Sequence, residues 1–366
     1  MTDFAAGFFA PWIIYAVMLG LHLVLPARRV TGYVTDTATG KTLIYRLNGL
    51  LVLAVVVALW VVIGATGVLP WDWLYTHRWS GLIGSAVLGF LLSVLALVLG
   101  PPTGRNLLAD LYFGRWMNRQ LLGGRRYPGG RVDAKMFLYL IGAAMLGLNL
   151  LAFTAHHIME FGDAFSPGVV LYCALFFWFL TEYLVFERVH LYTYDIFAER
   201  VGFKLIWGCF TFYPYFYAVG LWATAYRPDP GTPWWLLVIF SLVFFAGWAI
   251  SRGANLQKFH FKIHPERSFL GMEPKALTDG RHSLLYGGFW GIARHVNYLG
   301  EILEAVGLSL VLGYYGVWMV WLYPLYYVLL FLGRERADER RCAEKYGELW
   351  SEYVKLVPKR IIPWIY

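Results

Sequence analysis

Acidic side chains interrupt one of the most apolar stretches of the chain, at Glu182 beside Tyr183 and then at Glu187 and Asp195. A carboxylate at membrane depth costs about 2.5–3.5 kcal/mol or more on insertion scales, so such groups are retained mostly where they serve a function. Burial also favours the protonated form of a carboxyl group near neutral pH, which makes it a candidate general acid. The spacing predicts that Glu187 and Asp195 share one face of a continued helix. In the plainer alternative, Glu187 marks the membrane interface and Glu182 pairs with a neighbouring helix.

A second group of residues is basic. Lys258 and Lys262 stand four residues apart in the segment Arg252-Gly-Ala-Asn-Leu-Gln-Lys-Phe-His-Phe-Lys262. On a helix two such lysines project from one face, where they could hold an anionic group such as a phosphate. Juxtamembrane lysines that meet lipid headgroups are the alternative, and the spacing leaves both interpretations open.

A polar stripe is predicted near the C-terminus. Four side chains recur every fourth residue along one helix face, with Tyr353 about two turns beyond: Arg334, Asp338, Cys342 and Tyr346. A helix that only floated on a membrane would show an apolar stripe instead. The polar stripe therefore predicts one wall of a polar ligand site.

The elements that must position these groups are membrane-spanning helices. Of the 366 residues, 59% are hydrophobic and 15% are charged, which is more apolar side chain than one soluble core of this length could enclose. A span needs about 20 apolar residues. Runs of that length lie at 8–26, 47–69, 80–100, 136–154, 168–186, 203–224 and 234–250, followed by a longer tract from Leu299 to Gly333. Broken at Gly313–Gly316 into a hairpin, this tract completes an all-α polytopic membrane protein of about nine or ten transmembrane helices.

Loops rich in Lys and Arg alternate with loops that contain one Arg or none. The basic loops are 27–46, 101–135, 187–204, 251–283 and the tail after Gly333, and the charge-poor loops are 70–79, 155–167 and 225–233. The positive-inside rule then predicts an outer N-terminus and a cytoplasmic, amphipathic C-terminal cap. It also accounts for the net charge of +8 without nucleic-acid binding. We expect a single membrane domain, 1–366, and no metal site, because the three cysteines have no metal-ligand spacing.

Three C-terminal motifs are long enough to compare with known families. They are the run from Gly288 to Glu301, the segment Asp338-Glu-Arg-Arg-Cys-Ala-Glu-Lys-Tyr-Gly-Glu-Leu-Trp350 and the ending Val357-Pro-Lys-Arg-Ile-Ile-Pro-Trp-Ile-Tyr366. They closely resemble the sterol reductase family, which includes the Δ14-, Δ7- and Δ24(28)-sterol reductases. The segments Arg252–Lys258, Glu187–Phe203 and Asp110–Lys135 are similar to the same family. The resemblance covers 105–366, the predicted catalytic core, and leaves 1–104 as N-terminal helices.

The resemblance implies reduction of a carbon–carbon double bond in a sterol or related polycyclic isoprenoid, with NADPH as hydride donor after protonation of the alkene. We expect Glu182 and Glu187 to work with Tyr183 and Asp195 as the proton-delivery group, with either glutamic acid as the donor, directly or through Tyr183. Glu187 and Asp195 also match acidic positions of the family. The resemblance puts the cofactor on the C-terminal segments, with contacts drawn from Lys258, Lys262, Leu285, Trp290, Arg294, His295, Asn297, Tyr298, Arg334, Asp338, Cys342, Lys345, Tyr346 and Tyr353.

Two departures from the family pattern bear on the chemistry. Lys262 stands where the family usually has Arg, which keeps the charge but loses the planar fork for phosphate and weakens the preference for NADPH over NADH. Cys209 stands where the family commonly has Asp, and a thiol with a pKa of about 8.5 is a poor proton donor. Either an acid elsewhere supplies the proton or a different bond is reduced, and nearby Tyr213 is a further candidate.

Two other functions are compatible with these motifs. Isoprenylcysteine carboxyl methyltransferases share the Arg-His-x-x-Tyr turn and an acidic C-terminal helix but bind S-adenosylmethionine. A non-enzymatic sterol-binding membrane protein is the other. In each case we expect a multi-pass protein, in the endoplasmic reticulum of a eukaryote or the inner membrane of a bacterium.

Overall fold

The computed structural model describes residues 2–35, 40–123, 130–363 and 366. Trp364 and Ile365 of the C-terminal motif lie outside the described residues, as do parts of the basic loops 27–46 and 101–135. The chain forms two compact units, Met1–Asp229 and Pro230–Tyr366. The prediction of a single membrane domain divided near residue 104 stays a prediction.

The first unit consists mainly of long apolar helices joined by short helical turns and hairpins. Its helices and strands, in chain order, are α1 (Thr2–Val24), β1 (Arg28–Thr35), β2 (Thr42–Leu47), α2 (Gly49–Ala65), α3 (Trp73–Thr76), α4 (Arg78–Leu99), α5 (Leu107–Phe113), β3 (Gln120–Leu121), β4 (Val132–Asp133), α6 (Ala134–Phe161), α7 (Pro167–Val185), α8 (Glu187–His190), α9 (Tyr194–Phe197), α10 (Phe203–Trp207) and α11 (Val219–Thr224). A 3-10 turn follows α6 at Gly162–Ala164, and a π-helix lies at Gly208–Phe216.

The second unit continues this pattern. Its elements are α12 (Trp234–Ile263), β5 (Ala276–Thr278), β6 (Ser283–Leu285), α13 (Val296–Val311), α14 (Leu322–Tyr346) and α15 (Glu348–Leu356), with 3-10 turns at Gly288–Gly291 and Trp318–Trp321. The predicted break at Gly313–Gly316 is confirmed, since it falls between α13 and α14. Glycines bring α12 and α13 together: a Cβ on Gly300 would lie 2.5 Å from the backbone nitrogen of Ser251.

The apolar runs form helices because a backbone in lipid must satisfy its hydrogen bonds within its own segment. Within the described residues, five helices are long and apolar enough to cross a membrane: α1, α4, α6, α7 and α12. The prediction of an all-α polytopic membrane protein is thereby confirmed. α2 is apolar but shorter, and the number of crossings and the membrane-surface position of the C-terminal cap stay predictions.

The short β-hairpins were not predicted from the sequence. β1 and β2 pair antiparallel, with Val30 opposite Tyr45. These two side chains and Leu47 are buried in a hydrophobic cluster with Met136, Leu191 and Ile196. The hairpin therefore packs against the start of α6 and against the segment that carries the acidic residues.

The sixth apolar run, 203–224, is not one continuous α-helix as its length suggested. Pro214 has no N–H, so the usual hydrogen bond to the carbonyl of Phe210, four residues earlier, cannot form. Tyr15 donates a hydrogen bond of 2.6 Å to this carbonyl, and Ser85 donates another. The run is divided into α10, the π-helix and α11, and π-helices are frequent at functional sites.

The predicted orientation can be tested by labelling single cysteines in sealed right-side-out vesicles. We expect an impermeant maleimide to label Asp163→Cys in the charge-poor loop and not Pro102→Cys in a basic loop; both positions are exposed. Cys173 and Cys209 are buried, so replacing the half-buried Cys342 with Ala removes the remaining background. Labelling only of the Pro102→Cys protein would reverse the orientation.

Candidate active site

The acidic residues do not lie on one continued helix, so that prediction is wrong. α7 ends at Val185, and Glu187 and Asp195 lie on the separate short helices α8 and α9. His190 Nε2 is 3.0 Å from the carbonyl oxygen of Tyr183, and Thr193 Oγ1 donates to the carbonyl of His190 at 2.7 Å. Side chains that bond nearby carbonyls compete with helical hydrogen bonds, which favours turns here.

Glu187, on α8, is buried, and its carboxyl group contacts the first residue of α2. Its Oε2 accepts a hydrogen bond of 3.1 Å from the backbone N–H of Gly49, one of the N–H groups that have no partner within the helix. A Cβ at Gly49 would lie 2.4 Å from Oε1 of Glu187, so a larger residue at position 49 would force the Glu187 carboxyl group to move. Burial raises the pKa of Glu187 to about 7, although the Gly49 hydrogen bond lowers it in part. A substantial fraction of this group is therefore protonated at neutral pH.

Other predicted catalytic residues gather around Tyr183. Tyr183 is within electrostatic range of Tyr213, Asp195 and Glu187, and also of the buried Cys209. Its ring centroid lies 4.0 Å from that of His190. Glu182, the preceding residue of α7, is also buried. The first unit thus brings together acidic and phenolic groups from α7, α8, α9 and the π-helix.

Lysines form a cationic cluster in the second unit. Lys258 and Lys262 both lie on α12, as their spacing predicted, and they are within electrostatic range of each other and of Lys345. Nζ of Lys258 lies 4.9 Å from the ring centroid of Trp290. The Trp290 ring is held in turn by a 2.8 Å hydrogen bond to the carbonyl of Ala254. Positive charges on these three lysines repel one another, which favours an anionic occupant.

The predicted polar stripe lies on α14 from Arg334 to Tyr346. Asp338 accepts a 2.9 Å hydrogen bond from the hydroxyl of Tyr298, whose ring stacks on Phe331 with centroids 4.3 Å apart. Burial raises the pKa of Asp338, while the Tyr298 hydrogen bond and Arg334 oppose this shift. The preceding helix, α13, carries Asn297 beside Tyr298, and the side-chain carbonyl oxygen of Asn297 is buried and has no hydrogen-bond partner among the described residues.

Tyr353 does not continue the stripe helix, so the prediction that it lies two turns beyond is corrected. Gly347 adopts a φ of +53° and ends α14, and Tyr353 belongs to α15. It nevertheless clusters with Trp350, Cys342 and Tyr346. The turn at Gly347 folds an aromatic helix back against the polar one. Leu285 joins a second apolar cluster, with Trp290, Ala254, Ala293 and Val296.

Arg294 and His295 are buried beneath the C-terminal segment. The Arg294 guanidinium donates to the carbonyl oxygens of Val357 and Pro358 and to a carboxylate oxygen of Glu339. Burial, together with Lys258, Arg294 and Arg360, lowers the pKa of His295 to about 3, so its imidazole is neutral at physiological pH. Through these contacts Arg294 joins α14 to the C-terminal segment.

Sequence reasoning missed Gly49, Lys135 and Glu339. Gly49 begins an apolar helix far from the acidic segment, and Glu339 is one acid in a run of charged residues. Lys135 gave a usable signal, because a lysine two residues after Asp133 opens a long apolar run. The residues that Gly49 and Glu339 contact are distant along the chain, so the sequence around them does not indicate a role in the site.

The fold and these groups define a polytopic helical membrane protein with a buried acid cluster in one unit and a cationic, aromatic-lined site in the other. The chain belongs to the Ergosterol biosynthesis ERG4/ERG24 family, whose family model matches residues 4–366. The match includes the N-terminal helices, for which the sequence motifs had suggested no relationship.

Three relatives illustrate this membership. The chain is 34% identical to the Delta(14)-sterol reductase of Arabidopsis thaliana, over 94% of this chain and 91% of that protein. It is 33% identical to the Delta(14)-sterol reductase TM7SF2 of Mus musculus, over 98% and 86%. It is 29% identical to the Delta(14)-sterol reductase of Methylotuvimicrobium alcaliphilum, over 100% and 84%.

Proposed function

We propose that the protein is an oxidoreductase that reduces a carbon–carbon double bond in a sterol, with NADPH as hydride donor. The observation that carries this proposal is the buried Glu187 carboxyl group, whose pKa of about 7 suits proton donation at neutral pH. The names of the relatives favour the Δ14 double bond as the substrate bond. The substrate class extends to related polycyclic isoprenoids.

The proposed chemistry requires an acid because an isolated alkene is too electron-rich to accept hydride. Glu187 gives its proton to one alkene carbon, and the positive charge develops on the other. When bound, the nicotinamide supplies the hydride that completes the reduction. The Glu187 carboxylate then regains a proton from water. Tyr183, which lies within electrostatic range of both Asp195 and Glu187, helps deliver this proton together with Asp195.

The residues of the second unit fit a dinucleotide phosphate. Lys258 and Lys262, with Lys345, match the charge of phosphate groups, and the unpartnered carbonyl oxygen of Asn297 offers an acceptor for an amide N–H. Leu285, Trp290 and Tyr353 supply flat or apolar surfaces for rings. Arg294 and His295 support this site from behind, through Glu339 and the C-terminal segment.

The lysine assignment predicts a loss of cofactor affinity. We expect the double substitution Lys258→Ala and Lys262→Ala to raise the Kd for NADPH at least tenfold, or about 1.4 kcal/mol, because two phosphate-binding charges are removed. Isothermal titration in detergent measures this. Lys275→Ala with Lys355→Ala removes the same charge from exposed positions and should leave Kd unchanged. Equal Kd values for the parent and the first double variant would rule out the assignment.

The function itself is tested with the purified parent protein. A sterol with a Δ14 double bond and NADPH deuterated at the transferred hydrogen should yield the reduced sterol carrying one deuterium, detected by mass spectrometry. NADPH should also protect the protein against thermal unfolding. Protection by S-adenosylmethionine, with no sterol reduced, would instead identify a methyltransferase. Sterol binding with protection by neither nucleotide would identify a non-enzymatic protein.

The proposed location follows from the same topology as the cofactor site. The protein is a multi-pass membrane protein, and we propose that its C-terminus and its NADPH-binding residues face the cytoplasm, where NADPH is available. The sterol enters from the lipid bilayer, its usual solvent.

A further inference from the structure

Lys135 is a buried lysine that the proposed mechanism does not use. Its side chain is almost completely enclosed, with 1% of the residue exposed, in the first turn of α6. A cation is disfavoured at this end of a helix, where the backbone dipole is positive, and burying an ammonium group costs several kcal/mol unless hydrogen bonds compensate. The position therefore requires an explanation.

The Lys135 ammonium group binds the end of the helix that carries Asp195. Nζ donates hydrogen bonds to the backbone carbonyl of Ile196 at 2.6 Å and to that of Asp195 at 3.3 Å. Carbonyls in the last turn of a helix have no partner within the helix, and α9 is only four residues long. Lys135 thus supplies donors that this helix lacks.

The backbone of Lys135 is itself anchored. Oδ1 of Asp133 accepts hydrogen bonds of 3.1 Å from the backbone N–H groups of Lys135 and Met136, which caps α6. Met136 packs with Ile196 in the cluster beneath the β1–β2 hairpin. A capped helix on one side and an apolar cluster on the other hold the Lys135 ammonium group against α9.

The same ammonium group lies within electrostatic range of the Asp195 carboxyl group. Asp195 in turn lies within range of Tyr183. Two kinds of interaction, through backbone carbonyls and through charge, therefore connect Lys135 to the proposed proton-delivery group.

We propose that Lys135 is a positioning residue that holds Asp195 at the distance from Tyr183 and Glu187 that proton delivery requires. This inference rests on the proposed function. Misplacement of a catalytic group by about 1 Å can cost on the order of 10²-fold in rate. Lys135→Met, which keeps the length of the side chain but removes its donors, should lower kcat for sterol reduction about 10- to 100-fold. KM for NADPH should be unchanged, because Lys135 is not among the residues proposed to bind the cofactor.

The decisive experiment is a double-mutant cycle between Lys135 and Asp195. We expect Asp195→Asn to lower kcat, and Lys135→Met to lower it no further in the Asp195→Asn background. Equal reductions in both backgrounds would overturn the inference and leave Lys135 a purely structural role. A parent rate for Asp195→Asn would also overturn it, while the parent's sterol reduction would leave the proposed activity intact. Failure of the proposed function is recognised separately, as absence of sterol reduction in the parent.

A control variant and a hydrogen–deuterium exchange measurement distinguish a local effect of Lys135→Met from a general loss of folding. Lys204→Met removes a half-exposed lysine of α10, which pairs at 2.6 Å with Glu199 five residues earlier, and should keep the parent rate. Hydrogen–deuterium exchange should rise at 193–198 in the Lys135→Met protein, and Lys135→Gln, which retains one donor group, should give a smaller rise. Unchanged exchange at 193–198 in both variants would overturn the proposed hold on α9.

Discussion

Replacing Glu187 with Gln should lower the turnover of sterol about 10²–10⁴-fold, the range that general acid catalysis contributes. The amide keeps the shape of the carboxyl group but has no acidic proton to give. Folding and the Kd for NADPH should be unchanged, because glutamine keeps the shape of the side chain and Glu187 is not among the residues proposed to bind the cofactor. Turnover is measured as incorporation of one solvent deuterium together with one deuterium from labelled NADPH.

The pH dependence of turnover provides a second reading of the same residue. Burial raises the pKa of Glu187 from 4.5 to about 7, and the protonated form is the active one. The kcat value should therefore be highest below about pH 7 and fall as pH rises through the pKa. In the Glu187→Gln protein, kcat should no longer fall as pH rises through this range. A rising limb in the parent would contradict the assignment.

Glu182→Gln is the matched comparison, since Glu182 is a buried acid near the same end of α7. A reduced rate in this variant alone would make Glu182 the proton donor. If both Gln variants turn over sterol at the parent rate, the proton comes from another group. Tyr213 beside Cys209 in the π-helix is then the next candidate.

Replacing Arg294 with Ala should destabilise the second unit by about 3–5 kcal/mol, the usual cost of removing one partner of a buried ion pair. Arg294 and Glu339 are 3% and 20% exposed in their side chains and are joined at 2.6 Å. The substitution removes the positive charge that pairs with the Glu339 carboxylate. It also removes the hydrogen-bond donors of the Val357 and Pro358 carbonyls. Thermal unfolding in detergent measures the loss.

A lysine at position 294 should restore only part of this stability, because it retains the charge but lacks the fork that reaches several acceptors. Arg340→Ala is the matched control, since Arg340 is an exposed arginine on α14, the helix that carries Glu339. An unfolding midpoint of the Arg294→Ala protein equal to that of the control would show that the C-terminal segment is held by other contacts.

Local sequence patterns determined much of the fold and part of the candidate site. Apolar runs of spanning length identified the helices because helix formation in lipid depends on the segment itself. Four-residue spacings identified the common helices of Lys258 with Lys262 and of Arg334 with Tyr346, since these relations hold within one or a few turns. The break at Gly313–Gly316 was also predictable locally, because the apolar tract is too long for one span and contains glycines at that point. Long motifs identified the family.

Tertiary structure decided how distant groups meet. The hydrogen bond between the Gly49 N–H and the Glu187 carboxyl group joins residues 138 positions apart. No local pattern specifies which backbone N–H a distant carboxyl group will accept from. The turns after Val185 and at Gly347 corrected two helix predictions, because side chains and backbone angles ended helices that spacing alone would have continued. Lys135 and Arg294 acquired roles only through carbonyls of remote segments. Packing against those segments, rather than residue type, determines which buried charges support the site and which are available for chemistry.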